Sequence, residues 1–320
     1  MLIPVLLFVL GLILLIKGGD WFVRGAVGIA QFFHVPEFII GATVVSIGTT
    51  LPEVMVSASA ALSGHGEIAY GNALGSIICN TALIAAVTIT IRPSKVDAKT
   101  LRSPMIFFFI AAVFYSLTAL ITGQFSRPVG AVLLALFVFY MIFTVITGKK
   151  HANPDLEEVE ESNDKISTCF FFLVLGAALI AFGADLLVDN GTLIASSLGV
   201  PESVIALTFV ALGTSLPELV TAISSLVKGH SALSLGNIIG ANIFNLVLVS
   251  GAASVLSPFA IPTGKQLFGV PASFILDIPV MFLVSLILIL PALLKGKLSR
   301  VQGISLLIIY AAFCTIQFIG

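Results

Sequence analysis

Ten apolar runs of roughly 15 to 26 residues limit what this 320-residue chain can fold into, because about 20 apolar residues in a helix cross the hydrocarbon core of a bilayer. Inside that core every backbone polar group must be satisfied within the protein, which favours helices. Only 10% of the residues are charged, too few to cover a water-soluble protein of this size. The sequence therefore predicts an all-α membrane protein with ten transmembrane helices. We expect them near residues 2–22, 38–63, 67–90, 103–122, 128–147, 168–188, 203–227, 232–256, 267–292 and 301–319.

The second half of the sequence repeats the first with a constant offset of 165 residues. Ten of eighteen positions are identical between residues 36–53 and 201–218, and five of ten between 71–80 and 236–245. Accidental similarity of apolar helices would not preserve the polar and helix-breaking residues that these segments share. Because each half carries five spans, the second copy must enter the membrane from the opposite face, an architecture typical of secondary transporters.

A polar segment in the middle of the chain separates the two copies. We expect residues 1–147 to form the first five-helix repeat, 148–165 a cytoplasmic acidic linker, and 166–320 the second five-helix repeat. The linker has neither the length nor the spacing of a calcium-binding helix-loop-helix module, and its charge indicates a solvated connection.

The basic residues predict the orientation of the chain. If the N-terminus is outside, only Arg127 and Lys265 of the fifteen basic residues fall on the outer side. This asymmetry agrees with the positive-inside rule. We therefore expect a multi-pass protein of the cell membrane with both termini extracellular. The residues predicted at inner helix ends or connections are Lys17, Arg24, Arg92, Lys95, Lys99, Arg102, Lys149, Lys150, Lys165, Lys228, Lys295, Lys297 and Arg300.

Two glutamates, Glu53 and Glu218, lie deep in apolar segments, where an ionised carboxylate is costly unless something compensates its charge. All fifteen basic residues are assigned to helix ends or connections, so a bound cation or a proton is the natural compensation. Carboxylate, hydroxyl and carbonyl oxygens suit Na⁺ or Ca²⁺ better than a soft metal. The hydroxyl residues within one helical turn of the two acids are Thr49, Thr50, Thr214 and Ser215.

A proline precedes each of these glutamates. Pro52 and Pro217 cannot donate a hydrogen bond to the carbonyl four residues earlier, which belongs to Gly48 or Gly213, and their rings crowd that turn. We therefore expect both helices to kink there. Unpaired carbonyls at membrane depth are tolerated where they line a cavity, and there they can coordinate cations.

The helix after each glutamate carries a polar face. Asn72, Ser76 and Asn80 recur every four residues, and Asn237 and Asn245 are the counterparts in the second repeat. Amide side chains of this kind also join membrane helices to each other. We assign Asn72 and Asn237 to helix packing, and Asn80 and Asn245, at the deeper end of each face, to the ion site.

Several other classes of protein are excluded. The chain has no Walker A sequence for ATP-driven transport, no buried pair of serine and histidine for hydrolysis, and no basic stripe for nucleic acid. Cys79, Cys169 and Cys314 are far apart in the sequence and are interpreted as packing residues. We therefore expect a transporter rather than an enzyme, with no obligate protein partner.

The segments GATVVSIGTTLPE with GNALGSIICN, and LTFVALGTSLPE with GNIIGANIFN, resemble the two alpha repeats of the calcium/cation antiporter superfamily. The resemblance is closest to the prokaryotic Na⁺/Ca²⁺ exchanger branch and covers the whole ten-helix layout. It implies that Ca²⁺ and Na⁺ are the transported ions, and that the first and sixth helices slide across a rigid core to expose the site to each side in turn. The ligands it implies are Glu53, Glu218, Thr49, Thr50, Ser76, Asn80, Thr214, Ser215 and Asn245, with the backbone carbonyls of Ser46 and Ala211.

Two positions depart from the family pattern. Asn245 stands where some exchangers have aspartate, and Ala241 stands where the first repeat has Ser76, which removes one hydroxyl from a sodium position. The two remaining carboxylates balance one Ca²⁺ or two Na⁺. We predict exchange of Na⁺ for Ca²⁺ by alternating access, the ions competing at a midplane site around Glu53 and Glu218. Ca²⁺/H⁺ exchange through protonation of these glutamates, and a passive cation channel, are the alternatives.

Overall fold

The computed structural model describes residues 2–150, 165–197, 213–264 and 266–319, and this part of the chain is nearly all helical. Nine of the helices described are long and apolar enough to cross a membrane, and the tenth, α7, has 12 residues. The predicted all-α fold class is confirmed. The helices are α1 (Leu2–Phe32), α2 (Glu37–Leu62), α3 (Gly66–Ile91), α4 (Ala98–Thr122), α5 (Arg127–Lys150), α6 (Ile166–Ser197), α7 (Leu216–Val227), α8 (Ser231–Leu256), α9 (Ser273–Lys295) and α10 (Arg300–Ile319).

The helices α1 and α6 lie side by side with their backbones in contact. A Cβ atom added to Gly25 would lie 2.6 Å from the carbonyl oxygen of Cys169, and one added to Gly18 would lie 3.0 Å from that of Gly176. Small residues permit this close approach between membrane helices. Residue numbers rise along α1 as they fall along α6, so the first helices of the two repeats run in opposite directions, as an inverted repeat requires.

Both of these helices are longer than predicted. α1 continues to Phe32 instead of ending near residue 22, and α6 continues to Ser197 instead of 188. The mutual packing of α1 and α6 stabilises glycine-rich turns that sequence propensity alone disfavours. As a result Lys17 and Arg24, which we expected at an inner helix end, lie within α1. Both side chains are exposed, and the Arg24 guanidinium lies 4.5 Å from the ring centre of Phe172 on α6.

The centre of the fold is formed by α2, α3, α7 and α8. In the most apolar window of α8, 83% of the residues are buried, against 22% in α1, so α8 is a core helix and α1 a peripheral one. Glycines hold α2 against α8, because a Cβ atom at Gly41 would overlap the carbonyl oxygen of Leu233, and one at Gly236 that of Phe38. This contact brings the polar segments of α2 and α8 together.

Short π turns interrupt or begin four of the described helices. Those within α3 and α8, Asn80–Ala85 and Asn245–Val249, start at asparagines that are equivalent in the two repeats. A π turn holds one residue more than an α turn and is frequent at functional sites. The repeat is therefore present in the local backbone of α3 and α8 as well as in their sequences. The other two turns are Gly41–Val45 and Ser273–Asp277.

Short β pairings join the connections between helices. β1 (Gln124–Phe125) pairs with β2 (Phe259–Ala260) and so links the α4–α5 connection to the α8–α9 connection. β3 (Gln266–Leu267) and β4 (Val270–Pro271) form a hairpin whose two turn residues have positive φ angles, which matches the twist of such hairpins. Because of this hairpin, α9 begins at Ser273 and not near residue 267 as predicted.

The division into repeats of residues 1–147 and 166–320 stays a prediction. Residues 151–164 of the predicted linker lie outside the described residues, and α5 extends to Lys150 on one side of it. Residues 203–212 of the predicted seventh span also lie outside the described residues. The antiparallel packing of α1 and α6 and the paired π turns of α3 and α8 support the division.

Candidate ion-binding site

Glu53 on α2 and Glu218 on α7 are both buried in the centre of the fold. Each side chain is 0% exposed, and the two carboxylates are close enough to interact electrostatically. Within the described residues, none of their four carboxylate oxygens has a donor in good hydrogen-bond geometry, although the hydroxyls of Thr49 and Thr50 lie near Glu218. Hydroxyl groups carry no charge, so two buried carboxylates still require a cation or a proton for compensation. The structure thus brings the two acids together in a setting that favours bound positive charge.

The prolines before the two acids have different settings. Pro217 lies at the start of α7, so Glu218 is in the first turn, where unpaired backbone N–H groups favour a carboxylate. The expected interruption is therefore present in the second repeat, with a turn at residues 214–215. In the first repeat the helix continues through Pro52. A packed membrane helix tolerates a proline when its neighbours satisfy the carbonyl group that the proline leaves free.

Hydroxyl groups lie next to the carboxylates. The side chains of Thr49 and Thr50 face Glu218, and Ser215 precedes it on the same segment. The hydroxyls of Thr50 and Ser215 are buried and make no hydrogen bond of good geometry among the described residues; Thr50 lies near Glu218 and Ser215 near Cys79. Equivalent hydroxyl groups of the two repeats are therefore available to a cation at this site.

Asparagines of each repeat hold the hydroxyl groups of the other. Thr49 donates a hydrogen bond of 3.1 Å to Oδ1 of Asn237. The Ser46 hydroxyl lies 3.2 Å from the same oxygen, but its nearer acceptor, at 2.8 Å, is the carbonyl oxygen of Gly41 on its own helix. The equivalent contact with the two repeats exchanged is a hydrogen bond of 3.4 Å from Thr214 to Oδ1 of Asn72. Asn237 thus joins α2 to α8, and Asn72 joins α3 to the start of α7.

Asn80 and Asn245 are fully buried at the first residues of their π turns. The Asn245 amide nitrogen donates to the carbonyl oxygen of Ala241 at 3.0 Å, which leaves its Oδ1 without a partner among the described residues. Neither polar atom of the Asn80 amide has such a partner. Ser76 is buried one turn before Asn80, whereas Ala241 supplies only a methyl group at the equivalent position. Both amide oxygens can therefore serve a cation.

Several buried polar residues were not singled out from the sequence, among them three that follow the two glutamates on α2 and α7. Ser57 has its hydroxyl 2.9 Å from the amide nitrogen of Asn72, so it supports helix packing. Thr221 and Ser225 follow Glu218 by three and seven residues, and this helical spacing was the signal that could have identified them. One expected ligand, the carbonyl group of Ala211, lies outside the described residues.

A cavity of about 10 Å³ lies beside this cluster, next to α1 and α6. It has room for about one water molecule. Phe22 of α1 closes one side of it, and a Cβ atom added to Gly48 would lie 3.1 Å from this ring. The pair α1 and α6 therefore forms one wall of the site. The other lining residues are Thr49, Pro52, Ala177, Ile180, Ala181 and Pro217.

Comparison with known proteins assigns the family. The family described as sodium/calcium exchanger protein matches residues 3–146 and 168–319. The chain belongs to the sodium/calcium exchanger family. The sodium/calcium exchanger MaX1 of Methanosarcina acetivorans is 33% identical to this exchanger over an alignment that covers 98% of each chain. Inner membrane protein YrbG of Escherichia coli is 37% identical, and the alignment covers 90% of this chain and 88% of YrbG.

The fold of the exchanger is similar to a solved one. A structure of the sodium-calcium exchanger NCX_Mj superposes with a TM-score of 0.82 and 35% identity, over 97% of both chains. The resemblance inferred from the sequence motifs is confirmed. The exchanger is therefore a multi-pass membrane antiporter for cations, Ca²⁺ among them, and not an enzyme.

Proposed function

We propose that this exchanger moves Ca²⁺ in one direction and Na⁺ in the other, with both ions competing for a midplane site around Glu53 and Glu218. The observation that carries the proposal is the pair of buried carboxylates, whose four oxygens have no donor in good hydrogen-bond geometry among the described residues. Their charges balance one Ca²⁺ or two Na⁺. Occupancy by one ion excludes the other, and this competition couples the two fluxes.

The surrounding oxygens fit hard cations. Ca²⁺ takes six to eight oxygen ligands, and carboxylates with hydroxyl, amide and carbonyl oxygens meet that need. Unpaired oxygens beside the acids belong to Thr50, Asn80, Ser215 and Asn245 within the described part of the chain. The full proposed ligand set is Glu53, Glu218, Thr49, Thr50, Ser76, Asn80, Thr214, Ser215 and Asn245, with the carbonyls of Ser46 and Ala211.

Alternating access is proposed to arise from movement of α1 and α6. Their backbone contact at Gly25 and Gly18 makes them a single unit, and α1 is much less buried than the central helices. The Phe22 ring of this unit packs over Gly48, one residue before the proposed ligand Thr49. A shift of α1 and α6 along the core therefore moves the wall of the site without breaking the ligand cluster.

The proposed orientation has both termini outside. With Lys17 and Arg24 placed inside α1, eleven of the thirteen predicted inner basic residues remain at helix ends or connections, against two outside. That excess still agrees with the positive-inside rule. In this orientation Na⁺ entering the cell drives Ca²⁺ out.

The test is ⁴⁵Ca²⁺ uptake into proteoliposomes, with a Na⁺ gradient and a pH gradient imposed in separate experiments. We expect uptake that requires Na⁺ inside and stops when a sodium ionophore collapses the gradient. Uptake that follows the pH gradient in sodium-free buffer would instead establish Ca²⁺/H⁺ exchange. Uptake down the Ca²⁺ gradient that is indifferent to both counter-ions would indicate a passive channel.

A further inference from the structure

The buried face of α7 continues past the proposed ion site. Thr221 and Ser225 lie three and seven residues after Glu218, and each is 0% exposed. At a rise of about 1.5 Å per residue they lie about 4.5 and 10.5 Å further along α7, within about 60° of the Glu218 direction. The three side chains form a polar stripe, defined here as Glu218, Thr221 and Ser225. The stripe leads from the site toward the end of α7 at Val227.

The hydroxyls of the stripe do not bond to their own helix. Serine and threonine in apolar helices often donate to the carbonyl four residues earlier. Thr221 and Ser225 have no hydrogen-bond partner among the described residues. Their hydroxyls are therefore free to bond to a polar species between the helices. Residues of this exchanger that do make the local bond, at 2.6 to 2.8 Å, are Thr43, Thr90, Thr122, Thr147, Ser254 and Thr315.

The stripe exists in one repeat only. At the offset of 165 residues, the counterparts of Thr221 and Ser225 are Val56 and Ala60, which carry no polar atom. Val56 is also 40% exposed, so α2 does not enclose the equivalent surface. A requirement of the shared fold would place hydroxyls at both positions. The first repeat has one buried hydroxyl shortly after its glutamate, Ser57, and this group accepts a hydrogen bond from Asn72. Among the described residues, two unpaired hydroxyls after the glutamate are therefore found on α7 and not on α2.

α1 covers this end of α7. Lys228, directly after α7, forms an ion pair of 3.2 Å with the carboxylate of Asp20 and donates to the Asp20 carbonyl at 2.8 Å. A Cβ atom added to Gly19 would lie 2.6 Å from the hydroxyl of Ser224. The ion pair is partly exposed, so it lies at the surface where the stripe ends. Withdrawal of α1 would break this pair and uncover α7.

We infer that Thr221 and Ser225 line a hydrated path by which the cation passes between Glu218 and the inner surface, and that the path opens when α1 moves away from α7. The inference rests on the proposed function, because it takes Glu218 as an ion ligand and α1 as mobile. Na⁺ and Ca²⁺ bind hydroxyl oxygens, so the two side chains replace water ligands of an ion in transit. The inner side is the side of Lys228 in the proposed orientation.

The first test measures access to the stripe. Thr221→Cys and Ser225→Cys are made in a chain whose three native cysteines are replaced by alanine and whose transport has been verified. A membrane-impermeant, positively charged thiol reagent is then applied to one side at a time. We expect modification from the inner side only, slowed by Ca²⁺. The matched control is Leu226→Cys, which is buried and points about 100° or more away from Thr221 and Ser225 around α7, so it should stay unmodified.

The second test measures the role of the hydroxyls. Thr221→Val with Ser225→Ala keeps the side-chain size but removes both oxygens. We expect the apparent Ca²⁺ affinity to fall about two- to tenfold from the inner side, with no change from the outer side. Thr221→Ser should restore part of the loss. Equal effects on both sides, no effect on either, or cysteine modification from the outer side would overturn the inference.

The failure of this inference is distinct from failure of the proposed function. Ca²⁺ binding to the purified protein, measured by calorimetry, tests the site without any requirement for a path. If Glu218→Gln binds Ca²⁺ normally, the proposed site is wrong and the path has no ion to carry. If Glu218→Gln loses binding while Ser225→Cys is never modified from the inner side, the site stands and the path is wrong.

Discussion

Thr49 of α2 donates a hydrogen bond of 3.1 Å to the amide oxygen of Asn237 on α8. The Ser46 hydroxyl lies 3.2 Å from the same oxygen, although the carbonyl oxygen of Gly41, at 2.8 Å, is its nearer acceptor. Thr214 and Asn72 make the inverted counterpart. The proposed ligands of each repeat are thus held by a helix of the other, and the site is complete only where the repeats meet.

Asn237→Ala removes the acceptor that orients the hydroxyl of Thr49. We expect the KM for Ca²⁺ to rise about tenfold, because a proposed ligand hydroxyl loses its partner. The matched control is Ser254→Ala on the same helix, whose hydroxyl donates to the carbonyl oxygen of Ser250 at 2.6 Å within α8 and contacts no proposed ligand among the described residues. Both variants should lower the melting temperature, but only Asn237→Ala should raise KM. Equal KM values for the two would show that Asn237 serves stability alone.

Glu53→Gln and Glu218→Gln each remove one charge of the buried pair while keeping its shape. We expect Ca²⁺ affinity to fall at least about a hundredfold, since loss of one partner from a buried charge cluster costs about 3–5 kcal/mol. Glu67→Gln, at the exposed start of α3, is the control and should bind normally. Isothermal titration of folded, purified variants gives the affinities. Normal binding by either buried-site variant would remove the basis of the proposed site.

Asp97 caps the first turn of α4. It accepts hydrogen bonds from the Lys99 amide at 3.0 Å and the Thr100 hydroxyl at 2.6 Å, and the Thr100 bond lowers the pKa of this carboxyl. The stabilisation is therefore complete above the ordinary pKa of aspartate and is lost as the pH falls through the lower pKa of the folded state. Asp97→Ala should cost about 0.5–2 kcal/mol at neutral pH.

The check for this cap is thermal unfolding of the detergent-solubilised protein across the acid range. Asp97→Asn keeps an N-cap acceptor but has no proton to gain. It should retain most of the stability at neutral pH and lose the acid-dependent part. An identical pH profile for the native protein and Asp97→Asn would show that the acid dependence comes from other groups.

Gly25→Ala introduces a methyl group where α1 touches α6. The new Cβ atom would lie 2.6 Å from the Cys169 carbonyl oxygen, so the two helices must separate. We expect a loss of about 1–3 kcal/mol in stability, with slower transport because the moving pair no longer acts as one unit. Gly264→Ala, whose Cβ atom meets nothing within 4 Å, is the control. Unchanged melting temperature and rate in Gly25→Ala would contradict the close contact.

The Asp20–Lys228 pair provides a test of the closing contact between α1 and α7. Because both side chains are partly exposed, their interaction is worth about 0–1 kcal/mol. Asp20→Asn and Lys228→Gln should each raise the inner-side reactivity of Ser225→Cys by up to about fivefold, and the double variant should add little more. The measurement is the rate of thiol modification. Additive effects of the two changes would mean that the residues act independently.

Much of the fold was predictable because each helix that crosses a membrane needs an apolar run of about 20 residues. Apolar run length located nearly every helix, and the repeated motifs predicted that Glu53 and Glu218 would lie together. The helix ends were less predictable, since α1 continues to Phe32 through contacts with α6 that no local pattern records. The hairpin turn at Phe268 and Gly269 was missed because its residues are apolar and read as part of a span.

The site was predictable at the level of residue types and less so at the level of partners. The sequence placed Asn72 and Asn237 among packing residues, but not the particular hydroxyls that they bind in the other repeat. The repeat does not point to Thr221 and Ser225, because their counterparts at the offset of 165 residues are Val56 and Ala60. Differences between the repeats therefore carry information that the repeat itself does not.

The π turns at Asn80 and Asn245 change how α3 and α8 tolerate alterations in chain length. Each turn accommodates one residue beyond the α-helical count, so the segments after it are in register only while that residue is present. Deleting one residue within Asn80–Ala85 converts the π turn into an ordinary α turn and leaves the faces of the helix on either side in register. The same deletion two turns earlier rotates every later side chain of the helix by about 100°. The two asparagines thus stand at the only points in the described parts of these helices where a single-residue deletion leaves the core and lipid faces intact.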